Sequence, residues 1–98
     1  MKKLNEIKLN TFQLNVLLNE QEKEGFEMLL NEGVYCTRCN DVCKDGVVHY
    51  SIKLNALNDV VVDGECATCG HKVCRVMEFG EDRAFFEKAL EFRKSIQN

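Results

Sequence analysis

The residues of this chain best suited to chemistry are its six cysteines, four of which form two closely spaced pairs. Cys36 and Cys39 make the first Cys-x-x-Cys pair, and Cys66 and Cys69 make the second. Two sulfurs at this spacing can turn toward one ion without straining the backbone, and two such pairs supply the four ligands of a tetrahedral site. The spacing therefore predicts a metal centre in which these four thiolates bind a structural Zn²⁺.

The residue after each pair supports the same prediction. Asn40 follows Cys39 and Gly70 follows Cys69, and both residue types readily adopt a left-handed backbone conformation. A turn of this kind points backbone N–H groups at the sulfurs and disperses their negative charge. We therefore expect two similar turns, one on each side of the metal.

The two pairs, the second reading Cys-Ala-Thr-Cys-Gly-His, resemble the knuckles of zinc ribbons over residues 34–79. The resemblance implies a small β-sheet built from hairpins and a bound Zn²⁺ with Cys36, Cys39, Cys66 and Cys69 as ligands. It does not account for the segments on either side. Zinc ribbons serve transcription, translation, enzyme subdomains and protein docking, so the resemblance implies no single activity.

Iron is the alternative metal, because rubredoxin-like sites use the same four cysteine ligands. Such sites usually lie in compact chains rich in Pro and surrounded by aromatic residues. This chain has no Pro and no Trp, so zinc is the favoured ion.

Cys43 and Cys74 remain outside the two pairs, and three roles are open to them. Each lies close enough in sequence to replace a ligand, or the two could form a redox pair beside the metal. The commonest fate of a free cysteine is that of a small buried hydrophobic residue, and this is the favoured interpretation. A second zinc site that adds His49 or His71 is disfavoured because these residues do not cluster in the sequence. His49 is expected on the outward face of a strand, and His71 is expected to be exposed rather than bonded to a sulfur.

Composition and charge limit the ligands and the cellular location that we expect for the protein. The 98 residues carry a formal net charge of −3, and four thiolates with one Zn²⁺ bring this to about −5. An acidic balance disfavours a phosphate-binding surface, although Arg38, Lys44, Lys72 and Arg75 lie near the pairs. No apolar run is long enough to cross a membrane, and no apolar stretch follows the charged start. We therefore expect a cytoplasmic protein without a membrane partner, and in a reducing compartment a framework of three disulfides is disfavoured.

The middle of the chain shows strand patterns. Residues 47–54 alternate between apolar and polar side chains, residues 55–58 suit a turn, and residues 59–64 are rich in Val. A third strand over residues 73–79 completes an antiparallel sheet. Residues 11–18 fit a strand and a helix equally well.

Two helices are predicted on either side of this sheet. Asn19 and Glu22 have the spacing of a capping box, and Gly33 suits a C′ position, which gives a helix over residues 20–31. The second covers residues 81–96, with acidic residues at its start and basic residues at its end (Glu81, Asp82, Arg93, Lys94). Its apolar stripe is interpreted as core (Phe85, Ala89, Phe92, Ile96, widened by Phe86 and Leu90).

The sequence thus predicts one α+β domain over residues 1–98. Residues 1–33 form an N-terminal extension and helix, residues 34–79 a zinc-ribbon-like antiparallel sheet with the four cysteines, and residues 80–98 a C-terminal helix. Neither His lies in a catalytic motif, and a four-thiolate site leaves no position open for water. We expect a non-enzymatic module that binds a protein partner, with a nucleic-acid-binding regulator and a thiol-based redox switch as alternatives.

Overall fold

A four-stranded antiparallel sheet forms the centre of the computed structural model, which describes residues 5–79 and 82–96. Three helices accompany it, so the predicted α+β class is confirmed. The elements follow in the order β1 (Ile7–Leu9), α1 (Thr11–Leu17), α2 (Glu20–Glu32), β2 (Tyr35–Cys36), β3 (Asp41–Val42), β4 (Val47–Leu54), β5 (Val60–Cys66), β6 (Lys72–Met77) and α3 (Arg83–Ile96). Residues 80, 81, 97 and 98 of the predicted C-terminal segment, Glu81 among them, lie outside the described residues.

The sheet has the strand order β1-β4-β5-β6, and every neighbouring pair is antiparallel. The predicted strand over 47–54 is confirmed as β4. The next strand was predicted to end at residue 64, but β5 continues to Cys66, so the second cysteine pair starts on the sheet itself. Strands β2 and β3 form a separate two-stranded ribbon beside it. Because β1 has only three residues, it left no pattern in the sequence.

Residues 11–17 are helical, which settles the question that the sequence left open. The Asn10 side chain accepts a hydrogen bond from the Gln13 N–H (2.7 Å), and the Gln13 side chain accepts one from the Asn10 N–H (2.9 Å). This reciprocal cap satisfies two donors at the helix start. Leu14 and Leu17 are buried in α1, whereas Phe12 is 76% exposed. The apparent strand alternation therefore included residues that face solvent.

Helix α2 begins with the capping box predicted at Asn19 and Glu22, whose two hydrogen bonds are both 2.8 Å long. Its end differs from the prediction. Gly33 is the C-cap residue and has right-handed backbone angles (φ −107°), so it needs no left-handed conformation. A Cβ atom at Gly33 would lie 2.8 Å from the Leu29 Cα, and this close approach requires glycine there.

The main core lies where the helices pack against the sheet. Its buried members come from all three helices and from β1, β4 and β5 (Leu9, Leu14, Leu17, Leu18, Phe26, Ile52, Leu54, Val60, Val62, Phe85, Ala89, Phe92). The predicted core stripe of α3 is confirmed at Phe85, Ala89 and Phe92. Phe86 was predicted to widen this stripe, but it is 37% exposed because it lies on the side of α3 away from the core.

Arg93 lies near the α3 C-terminus, as predicted, and its side chain is buried in the protein interior. Its side chain is only 4% exposed. The guanidinium donates to the Asn58 Oδ1 (2.6 Å) and to the backbone carbonyls of Asn5 and Asn55. We call this group of contacts the Arg93 clasp. It joins α3 to the turn between β4 and β5 and to the segment before β1, and burial lowers the pKa of the guanidinium.

No helix within residues 5–79 and 82–96 combines the length and apolar character needed to cross a membrane.

Candidate metal centre

The two cysteine pairs lie in two turns of the same design. Cys36 ends β2 and the Asn40 N–H returns to its carbonyl (2.9 Å), while Cys66 ends β5 and the Gly70 N–H returns to its carbonyl (2.8 Å). Asn40 and Gly70 have φ angles of +58° and +78°, so both predicted left-handed turn residues are present. Each turn thus carries its second cysteine back toward the first.

The sulfur atoms of Cys36, Cys39, Cys66 and Cys69 all lie within 4.8 Å of one another. The Cys36 and Cys69 sulfurs are 3.5 Å apart, and those of Cys39 and Cys66 are 3.8 Å apart. A tetrahedral ion with metal–sulfur bonds of about 2.3 Å has sulfur–sulfur edges of about 3.8 Å, whereas a disulfide would need about 2.0 Å. The structure therefore brings the four predicted cysteines within metal-binding distance of one another, and two of the sulfur–sulfur distances lie close to a tetrahedral edge.

The four sulfurs are unequally buried. Cys36 and Cys66, at the strand ends, are 0% and 1% exposed, while Cys39 and Cys69 are half-buried. Three valines pack around them (Val34, Val47, Val73). We call these valines, the four cysteines and Cys43 the metal-side cluster. A site enclosed in this way excludes water from the two inner ligands.

The ionisation of the four thiols also suits the binding of a cation. Backbone N–H groups of Cys69 and Thr68 donate to the Cys66 sulfur and lower its pKa to about 6, against the opposing effect of burial. The thiol hydrogen bond with Cys69 and the burial of Cys39 raise the Cys39 pKa to about 12. Four thiolates this close repel one another, so all four can ionise together only around a positive ion. The donor set suits Zn²⁺ or iron.

The first cysteine pair also has a backbone N–H that donates to a sulfur. The Cys39 N–H donates to the Cys36 sulfur (3.5 Å). The Tyr35 hydroxyl donates to the Asn40 Oδ1 (2.8 Å), which holds the side chain of the turn residue. These contacts match the predicted role of the turns.

His71 was predicted to be exposed, but it is half-buried, and it bonds across the site rather than to a sulfur. Its Nε2 lies 3.2 Å from the Thr37 Oγ1, so a residue just after the second pair contacts one inside the first. The Thr68 hydroxyl similarly donates to the Asp45 carboxylate (3.0 Å). Sequence reasoning missed both threonines, although each occupies a position between two paired cysteines. His49 is exposed, as predicted, and its Nδ1 is 3.8 Å from a Glu65 carboxylate oxygen.

The two remaining cysteines have different environments. Cys43 is 1% exposed and belongs to the metal-side cluster, as predicted for a buried hydrophobic residue, and burial raises its thiol pKa to about 12. Cys74 was predicted to be buried as well, but it is exposed because it lies on the outer face of β6. Neither joins the group of four sulfurs. Partial desolvation of the thiol and the neighbouring Asp63 raise the pKa of Cys74, which lowers its reactivity.

The basic residues near the cysteine pairs lie on a surface of mixed charge. Arg38, Lys44, Lys72 and Arg75 are exposed. The Lys44 Nζ is 4.0 Å from an Asp41 carboxylate oxygen, so one of these cations has an acidic neighbour.

Comparison of the chain with protein-family models, with curated proteins and with solved structures gives no match. The residues and their geometry therefore carry the functional argument.

Proposed function

We propose that this chain is a zinc-binding domain of the zinc-ribbon type, in which Cys36, Cys39, Cys66 and Cys69 hold one structural Zn²⁺. The observation that carries the proposal is the pair of sulfur–sulfur distances, 3.5 and 3.8 Å, between cysteines of different turns. These match the edges of a tetrahedron around a thiolate-bound ion. The N–H groups aimed at Cys36 and Cys66 would disperse the ligand charge.

The ion would act as a fastener between two parts of the chain. The first cysteine pair belongs to the β2–β3 ribbon and the second to the β5–β6 end of the main sheet. A Zn²⁺ with four protein ligands has no position open for water or substrate. The closed donor set therefore supports a structural role, and we propose that the domain is not an enzyme.

Metal analysis of the chain, purified under reducing conditions, tests the proposal. We expect about one zinc per chain, and loss of the bound metal in Cys66→Ser. Cys74→Ser is the matched control, because it removes an exposed thiol outside the group of four. Bound iron in place of zinc would overturn the choice of metal. A folded, reduced protein with no metal, or equal loss in both variants, would overturn the site.

The domain's activity is most simply that of a binding module for another protein, in a reducing compartment such as the cytoplasm. Nucleic acid is the alternative ligand, favoured by the exposed cations near the cysteine turns and disfavoured by the net charge of −3. Binding of labelled DNA and RNA at low salt separates the two. Affinity that falls steeply with added salt would favour the nucleic-acid alternative.

A redox role is less well supported. Cys43 is buried with a raised thiol pKa, and the pKa of the exposed Cys74 thiol is also raised, because desolvation and Asp63 outweigh the opposing charge of Lys53. Neither has the electropositive, accessible environment typical of reactive thiols. Zinc release and disulfide formation on exposure to dilute hydrogen peroxide would nevertheless favour this alternative.

A further inference from the structure

The outer side of β6 is the long open edge of the main sheet. In the described part of the chain, β6 pairs only with β5. The opposite edge is formed by β1, which has three residues against six in β6. An edge strand with unpaired backbone groups is a template for a further strand.

The hydrogen bonds at the start of β6 establish which backbone groups face outward. The Cys66 N–H donates to the His71 carbonyl (2.9 Å) at the position where these two residues oppose each other. In an antiparallel pair, residues bonded to the partner alternate with residues that point away from it. The residues of β6 that follow His71 in steps of two therefore face β5 (Val73, Arg75, Met77).

The intervening residues of β6 direct their N–H and C=O groups away from the sheet (Lys72, Cys74, Val76). The Phe79 N–H fits the same alternation, because it bonds inward to the Asp59 carboxylate (2.8 Å). An open cleft of about 420 Å³ runs along this edge and is lined by Cys74, Arg75, Val76 and Glu78. The edge thus offers donors, acceptors and space for a strand.

We propose that this edge pairs with the same edge of a second copy of the chain, antiparallel and about a two-fold axis at Val76. Val76 then faces Val76 of the second copy, Cys74 faces Glu78, and Arg75 faces Met77. The paired stretch coincides with the cleft. The two main sheets become one sheet of eight strands, and the contact is closed because both copies use the same surface.

The charges on β6 favour a second copy as the occupant. Lys72 lies at the start of the strand and Glu78 just beyond its end. Antiparallel self-pairing places Lys72 of one copy on the same face as Glu78 of the other, as diagonal neighbours about 7–8 Å apart, within reach of long side chains. The two-fold axis creates this pair of opposite charges twice.

The charge of Arg75 disfavours the neighbouring register. In an antiparallel pair of β6 strands, the outward-facing residues of one copy must lie opposite outward-facing residues of the other. The two-fold axis must therefore pass through a residue position and not between two residues. An axis at Arg75 would bring Lys72 directly opposite Glu78, but it would also place two guanidinium groups directly opposite each other, which is destabilising. With the axis at Val76, each Arg75 lies opposite a methionine instead.

Sedimentation equilibrium of the purified chain over a range of concentrations tests the dimer. We expect a monomer–dimer equilibrium whose dissociation constant rises about tenfold or more in Val76→Pro, because proline removes the N–H that faces the second copy on both strands. That N–H does not bond to β5, and proline is tolerated on an edge strand. Val76→Thr keeps the N–H and the side-chain shape, so it should dimerise like the wild type.

A wild-type chain that stays monomeric at every concentration overturns the proposal. It does so even if the β6 edge pairs with a strand of another protein instead. A dimer that is unaffected by Val76→Pro also overturns it, because such a dimer uses another surface.

Cross-linking tests the register and does not depend on the proline variant folding. Val76→Cys in a Cys74→Ser background should form a disulfide-linked dimer on mild oxidation. Directly bonded pairs have Cα atoms about 5.5 Å apart, within the range that a disulfide spans. Wild-type Cys74 should not cross-link, because its mate lies four residues along the partner strand, about 13 Å away. A wild-type cross-link without one in the variant would overturn the axis at Val76.

Discussion

Arg93 carries a permanent positive charge into the interior and meets neutral oxygen atoms there. Its partners are an amide oxygen of Asn58 and the backbone carbonyls of Asn5 and Asn55. A guanidinium suits this position because its planar fork donates in several directions at once. Asn58 adopts a left-handed conformation (φ +62°) at the turn and is itself 1% exposed. The contact therefore orders the turn as well as the helix.

We predict that Arg93→Met lowers the free energy of unfolding by about 3 kcal/mol, because it leaves several acceptor oxygens without a partner. Urea denaturation followed by circular dichroism measures this change. Arg83→Met is the matched control on the same helix. The Arg83 side chain is 93% exposed, and its ion pair with Glu87 should contribute no more than about 0.5 kcal/mol. Equal losses in both variants would contradict the structural role of the Arg93 clasp.

At the scale of single residues, the features that depend on sequence spacing were predicted. The features that depend on tertiary contacts were missed. The four paired cysteines and the left-handed Asn40 and Gly70 follow from local chain geometry. The contact between Thr37 and His71 depends on how the two turns face each other, which no local pattern encodes. The burial of Arg93 and the exposure of Cys74 were missed for the same reason.

At the scale of elements, β4 contains an irregularity that the periodic pattern did not reveal. Its register with β5 shifts between Val48 and Ser51, and His49 within this bulge has a φ angle of +50°. Opposite the bulge, Gly64 approaches β4 very closely. A Cβ at Gly64 would lie 2.6 Å from the Val47 Cγ1 and 2.8 Å from the Tyr50 Cβ. The glycine thus permits the bulge.

We predict that Gly64→Ala lowers the free energy of unfolding by about 1–3 kcal/mol, because the added methyl group overlaps packed atoms of β4. Thermal or urea denaturation measures the loss. An unchanged midpoint would mean that β4 moves aside without cost, contrary to the close packing described above.

Gly25 gives the opposite prediction on α2. It lies inside the helix, and a Cβ there would be 3.5 Å from the Met77 Cε, an ordinary contact distance. Gly25→Ala should therefore raise the free energy of unfolding by about 0.5–1 kcal/mol, since alanine loses less backbone entropy in a helix. Measured beside Gly64→Ala, it separates the effect of added volume from the effect of removing a glycine. A loss of stability would contradict the prediction.

Long periodic elements were predictable, and short ones were not. The strand β4 and the helices α2 and α3 were located to within one or two residues, because each repeats its pattern over several turns or pleats. Helix α1 has seven residues, too few for the period to exclude a strand. Strand β1 has three and depends on pairing with β4.

At the scale of the whole molecule, the buried residues divide into two groups. The main core unites the helices with β1, β4 and β5, and none of its buried members is a cysteine. The metal-side cluster holds the paired cysteines at the other end of the sheet. Most of the buried side chains therefore lie away from the site, in a cluster whose packing does not involve the paired cysteines.

We predict that removing the metal with a chelator unfolds the metal end and leaves the main core folded. Hydrogen exchange should then lose protection over residues 34–46 and 66–73, while α2, α3 and the middle of β4 stay protected. The circular dichroism signal of the helices should persist. Loss of protection throughout the chain would instead mean that the two groups fold as one cooperative unit.

The Arg93 clasp also constrains the order of events during synthesis. It joins Arg93 to the carbonyl of Asn5, 88 positions earlier in the chain. While the ribosome is still translating the middle of the protein, the segment before β1 cannot form this bond. The face of α3 against which the core packs is also still missing. The second cysteine turn, residues 66–70, comes before α3 in the chain by only about a dozen residues. The main core, which needs Phe85, Ala89 and Phe92 of α3, can therefore close only after all four paired cysteines have been synthesised.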